Sequence, residues 1–80
     1  MSFSNKYTKD QVAINTRFLY SPNSTWKLER FKVVSLDDVN VSGQRIDGNG
    51  APIESLDAVT FKLDDILRGF NSEGSFVLLS

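Results

Sequence analysis

Two pairs of neighbouring aspartates, Asp37-Asp38 and Asp64-Asp65, are the residues of this chain best placed to take part in a reaction. Close carboxylates serve two chemistries: a dyad that shares one proton, or a magnesium site completed by a phosphate-bearing ligand. The sequence context favours neither. Adjacent residues of a strand project to opposite faces, so a dyad forms only where a turn folds the pair together. No glycine-rich phosphate cradle accompanies the pairs. Both sit beside turn-forming residues, where aspartate caps backbone N–H groups, and that structural role is the expected one.

Composition narrows the chemistry further. The 80 residues include no histidine and no cysteine. The chain thus lacks the side chain that titrates between pH 5 and 8, the best nucleophile, and the commonest transition-metal ligands. Serines and threonines are plentiful but have no imidazole to activate them, and no segment argues for the buried lysine of a Ser-Lys arrangement. Asp47-Gly48-Asn49-Gly50 superficially resembles the start of a calcium loop. The next alternate ligand position is Ala51, however, and the position that needs a bidentate glutamate is Ala58. The expectation is a protein without metal, cofactor or catalysis.

Recognition is the remaining class, and charge suggests two surfaces for it. Residues 1–34 carry six Lys and Arg against two acids, whereas residues 35–80 carry three against eight. The acidic half nominates Asp37, Asp38, Asp64, Asp65 and Glu73 as contacts for a protein partner with a basic surface. The basic half nominates Arg17, Trp26, Lys27, Arg30 and Lys32. There the run Trp26-Lys27-Leu28-Glu29-Arg30-Phe31-Lys32 interleaves aromatics with cations, as barrels that stack bases and contact phosphates do. Against that reading, Trp26 and Phe31 are residues a small core needs, and the net charge of −1 is the wrong sign for a typical nucleic-acid binder. A third possibility is an oligomer that binds a small ligand between copies, with Arg45 and Asn49 lining the site.

These residues must be positioned by a single small domain. With no disulfide or metal to staple it, folding rests on apolar burial, for which the chain has six Phe, two Tyr and one Trp. Val12, Ile14, Thr16, Phe18 and Tyr20 alternate with more polar neighbours, predicting a strand to Tyr20 broken at Ser21-Pro22. A second strand starts at Trp26. Its alternation changes parity near Glu29-Arg30, which predicts a bulge or bend there. Leu36 to Val39 reads as a turn into a short strand, and Asp47 to Gly50 as a hairpin tip between Ile46 and Ile53. Val59, Phe61 and Leu63 alternate. Leu63, Ile66, Leu67 and Phe70 then take helical spacing, predicting one helical or 3₁₀ turn from Asp64 to Arg68 stopped by Gly69, or a longer helix over 61–70. Phe76 to Leu79 reads as a buried closing strand. Trp26 and Phe61 are expected in the core.

This order of elements is similar to the SH3-like small barrel and predicts a mainly β domain: a five-stranded curled sheet or barrel with one short helical turn. The alternative is an α+β arrangement, a curled antiparallel sheet packed on one short helix. Residues 1–10 are expected to be a flexible arm, able to dock Phe3 and Tyr7 on a partner or a second copy, and residues 11–80 the domain. No apolar stretch suits a membrane span or a secretory signal, so the expected setting is cytoplasmic. The chain reads as a complete small open reading frame of the accessory type that phages and mobile elements make. The expected function is a non-catalytic module that binds and modulates or inhibits a partner protein, with self-association possible.

Overall fold

The computed structural model describes residues 5–24 and 27–79. Five antiparallel strands form one curled half-barrel sheet: β1 (Arg17–Pro22), β2 (Glu29–Leu36), β3 (Asn40–Arg45), β4 (Val59–Lys62) and β5 (Gly74–Leu78), in the order β4-β3-β2-β1-β5. A short helix, α1 (Leu63–Arg68), joins β4 to β5, and a 3₁₀ turn (Lys9–Gln11) precedes β1. Strands 1 to 4 are a simple meander, and β5 returns beside β1. This is the mainly β, five-stranded curled sheet with one short helix that the order of elements predicts, left open between β4 and β5.

The inward face follows the alternation of the sequence. Phe18 and Tyr20 of β1, Phe31 and Val33 of β2, Val41 of β3 and Phe76 of β5 are buried, together with Leu63, Ile66 and Leu67 of α1. Each fully buried Phe contributes about 1.5–3 kcal/mol of transfer free energy, so three of them anchor the sheet. Phe18 and Phe31 are cross-strand partners, their rings stacked with centroids 5.4 Å apart. Gly43 makes room for them, since a Cβ there would lie 3.1 Å from the Phe18 ring. The helix buries its apolar stripe and ends at Gly69, whose φ of 91° is left-handed and whose N–H donates to the Asp65 and Ile66 carbonyls.

Three local expectations are corrected by the backbone. The alternation over Val12–Thr16 is a turn rather than the start of β1: Asn15 has φ 76°, and the Ala13 N–H donates to the Thr16 hydroxyl at 3.0 Å. Val12 is buried by this turn while Ile14 is half exposed. Ser21 and Pro22 extend β1 instead of breaking it, because Pro22 pairs only with Gly74 at the strand's end. The irregularity in β2 falls between Val33 and Ser35, not at Glu29-Arg30. Trp26, expected in the core, lies outside the described residues. Phe61 packs against the core but keeps part of its ring exposed.

Residues 5–10 of the expected arm touch their own domain through Tyr7. Its N–H donates to the Leu67 carbonyl at 2.9 Å, and its hydroxyl accepts the Leu78 N–H at 3.1 Å.

Candidate functional site

The five carboxylates expected to meet a partner are dispersed. Asp37 lies in the β2–β3 turn, where its Oδ1 accepts the N–H groups of Val39 at 2.8 Å and Asn40 at 2.6 Å. Those two bonds, the Asn40 one foremost, hold the Asp37 carboxyl below the ordinary aspartate range. Asp65 pairs with Arg68 one turn along α1. Asp37 fills the turn role read for its pair, whereas the cap expected of Asp64-Asp65 is not formed: the start of α1 has no side-chain cap hydrogen bond, and Asp65 is engaged in the ion pair instead.

Asp38 and Asp64 remain. Among the described residues, neither carboxylate meets a hydrogen-bond or ionic partner. They lie at the same end of the sheet, because the Leu63 N–H donates to the Val39 carbonyl at 2.8 Å and ties the start of α1 to the β2–β3 turn. Glu73 sits apart, in the turn before β5, where its carbonyl accepts the Asn23 N–H at 2.7 Å.

The basic set divides differently. Arg17 and Lys32 are direct cross-strand partners and Arg30 is two residues before Lys32, so these three share the outward face of β1 and β2. Across all five strands the outward positions carry Arg17, Arg30, Lys32 and Lys62 and no carboxylate. Lys27 and Arg30 border a separate depression of about 560 Å³ floored by Leu28, Ile46, Ile53 and Leu56. Trp26, the aromatic of this set, lies outside the described residues. Arg45, considered for a ligand site, is committed to Glu29 at 3.2 Å and lies over the Phe31 ring. Asn49 is at the tip of the β3–β4 hairpin, its N–H bound by the Asp47 carboxylate at 2.8 Å.

A feature that sequence reasoning missed lies where the half-barrel fails to close. A groove of about 460 Å³ runs along β4, which supplies Val59, Thr60, Phe61 and Lys62, and faces Tyr20, Asn71 and Glu73 across the gap. Its floor is aromatic. The Phe61 ring meets Phe31 at 5.2 Å, Phe76 at 5.3 Å, Tyr20 at 5.5 Å and Phe18 at 5.6 Å, and its exposed part forms the groove's base. The Glu29–Arg45 pair also lines it, as does Asp65. Lys62 and Glu73 are the lining charges without an ionic partner among the described residues.

The backbone along this groove is half used. Leu63 donates to Val39, the residue before β3, so the alternate residues Phe61 and Val59 turn their peptide groups toward β3. Thr60 and Lys62 turn theirs outward, and among the described residues no partner meets the Thr60 N–H, the Thr60 C=O or the Lys62 N–H. The only sequence trace of this edge was Thr60-Phe61-Lys62 itself, a short polar and aromatic alternation. Which neighbour a strand lacks is a non-local property.

Chemically the arrangement offers surfaces and hydrogen-bonding groups. Among the described residues no cluster of three or more acidic side chains is placed to hold a metal ion, and no helix is long and apolar enough to cross a membrane. No protein-family model matches the chain, and neither a curated protein nor a solved structure does.

Proposed function

We propose that this protein is a non-catalytic recognition module that binds a partner protein and modulates or inhibits it. The observation that carries the reading is the unclosed side of the half-barrel, where an aromatic floor and unpaired backbone groups face solvent together. Small domains protect such groups with covering segments unless something else is meant to meet them. The carboxylates of Asp38, Asp64 and Glu73, unengaged among the described residues, add a charge component suited to steering toward a basic partner.

The test is affinity capture from cells that naturally contain the protein, followed by kinetics with the captured partner. Reversing Asp38, Asp64 and Glu73 to Lys should slow association and flatten its salt dependence, with the melting temperature nearly unchanged. Recovery of nucleic acid in place of protein would defeat the reading.

A second reading, a nucleic-acid-binding barrel, is favoured by the outward strand positions, whose charged residues are all cationic. It is separated by oligonucleotide binding against salt: a steep loss of affinity with ionic strength, abolished by reversing Arg17, Arg30 and Lys32, would select it.

A further inference from the structure

We infer that β4 accepts an extended peptide segment of the partner as a sixth strand, with a large apolar side chain over Phe61, an acidic side chain beside Lys62 and a basic one beside Glu73. This rests on the protein-recognition reading and adds the mode and the chemistry of the ligand.

Three observations lead to an extended chain. The Thr60 N–H and C=O and the Lys62 N–H point into the groove in the alternating pattern of a ladder, and only another extended backbone satisfies them in sequence. The groove is walled on both sides by the same molecule, with β4 on one flank and Asn71 and Glu73 on the other. This two-sided lining favours a single segment over the sheet of a second folded copy. The third observation is selectivity between edges. On β5 the outward amides already have acceptors, in the Gly69 carbonyl and the Tyr7 hydroxyl. Among the described residues, β4 is the edge whose outward amides stay open to an incoming strand.

Side-chain preference follows from the pleat. A strand paired with β4 turns alternate side chains inward, toward the exposed part of the Phe61 ring, and the others outward, level with Thr60 and Lys62. Lys62 and Glu73 are the two groove charges without ionic partners among the described residues, so opposite charges on the peptide complement them. The Glu29–Arg45 pair is self-neutralised and selects neither sign.

The probe is a library of random heptapeptides displayed on phage and selected against the full chain. The expected result is enrichment of peptides that alternate apolar with acidic residues and carry a basic residue toward one end. Adding an enriched peptide should slow amide exchange at Thr60 and Lys62 and leave exchange at Leu78 unchanged. Thr60→Pro removes the outward N–H without disturbing the β3 ladder, so it should keep the melting temperature and weaken the peptide about tenfold or more. Lys62→Glu should reverse the acidic preference.

N-methylation of alternate peptide amides provides a test that leaves the protein unaltered: strand addition requires loss of binding at one parity and tolerance at the other. Enriched peptides that bind Thr60→Pro as well as the parent, or tolerate methylation at both parities, would overturn strand addition while leaving protein recognition intact. Absence of any enriched peptide would overturn it too. So would a concentration-dependent dimer in sedimentation that Thr60→Pro dissociates, because the occupant would then be a second copy.

Discussion

Along β5 all three backbone amides that face away from β1 have acceptors: the Gly74 N–H donates to the Asn71 side-chain oxygen at 2.7 Å, the Phe76 N–H to the Gly69 carbonyl at 2.8 Å and the Leu78 N–H to the Tyr7 hydroxyl at 3.1 Å. Along β4 the corresponding groups of Thr60 and Lys62 meet nothing among the described residues. The two edges also differ in what covers them. The turn after α1 packs beside β5, and Tyr7 joins from the other end of the chain, whereas β4 borders an open groove. A domain of this size is only marginally stable, and each net hydrogen bond is worth about 1 kcal/mol, so covering β5 is a large fraction of what it has to spare. Leaving β4 bare forgoes a comparable amount, and the lone lysine on this four-residue strand is its remaining guard against unwanted pairing.

The sharpest way to break the covered edge is at its first residue. A Cβ on Gly74 would sit 2.5 Å from the Ser21 carbonyl oxygen and 2.8 Å from the Tyr20 ring, and backbone cannot yield as a flexible side chain does. Gly74→Ala should therefore destabilise the fold by about 3 kcal/mol or more, read as a lowered denaturant midpoint. A smaller loss would mean that the turn from Asn71 can shift as a unit and that β5 is less firmly seated than its pairing implies.

Tyr7→Phe should have an intermediate effect. It removes the acceptor of the Leu78 N–H and little else, and should cost about 1 kcal/mol. The decisive measurement is amide exchange: Leu78 should become as fast as Thr60, making the two edges alike, while Phe76 stays protected by Gly69. If Leu78 exchange does not change, Tyr7 does not guard the edge.

Much of this architecture was legible because it is local. The helical spacing of Leu63, Ile66 and Leu67 and the glycine stop at Gly69 correspond to α1 as observed. The Asp47–Gly50 turn is present, although the demand for glycine falls on Gly50, with φ 86°, while a Cβ on Gly48 would meet nothing. Replacing Gly50 with Val should cost about 1 kcal/mol and the same change at Gly48 much less, a contrast visible in paired thermal melts. The Val12–Thr16 segment was misread because alternation does not distinguish a strand from a turn that buries its two ends, Val12 and Thr16. Neither edge could be read at all. Tyr7 reaches Leu78 across 71 residues, and the bareness of β4 depends on where β5 goes. The acidic set shows the same limit: the cap at Asp37 was visible in its turn context, but the separation of Glu73 from Asp38 and Asp64 is a matter of topology.

The smallest expected effect tests what holds the far end of the open edge. Asp37 accepts the Val39 and Asn40 amides, and the Val39 carbonyl receives the Leu63 N–H that ends β4, so the carboxylate indirectly fixes where the edge stops. Its pKa is lowered by folding, which sets the sign. The stabilisation is fully present above the unfolded aspartate pKa of about 4 and is lost as pH falls through the lower, folded value. Asp37→Asn keeps an oxygen acceptor and removes the charge. Its melting temperature should lie slightly below the parent at neutral pH, with the gap starting to close below about pH 4 and vanishing only as the pH falls through the lower folded value, where the parent's own carboxyl is neutralised. A gap that stays constant across that range would show that the carboxylate's charge contributes nothing and that the turn is held by geometry alone. Faster exchange of the Leu63 amide in Asp37→Asn, with Phe61 unchanged, would place the loosening at the end of β4 and not along it.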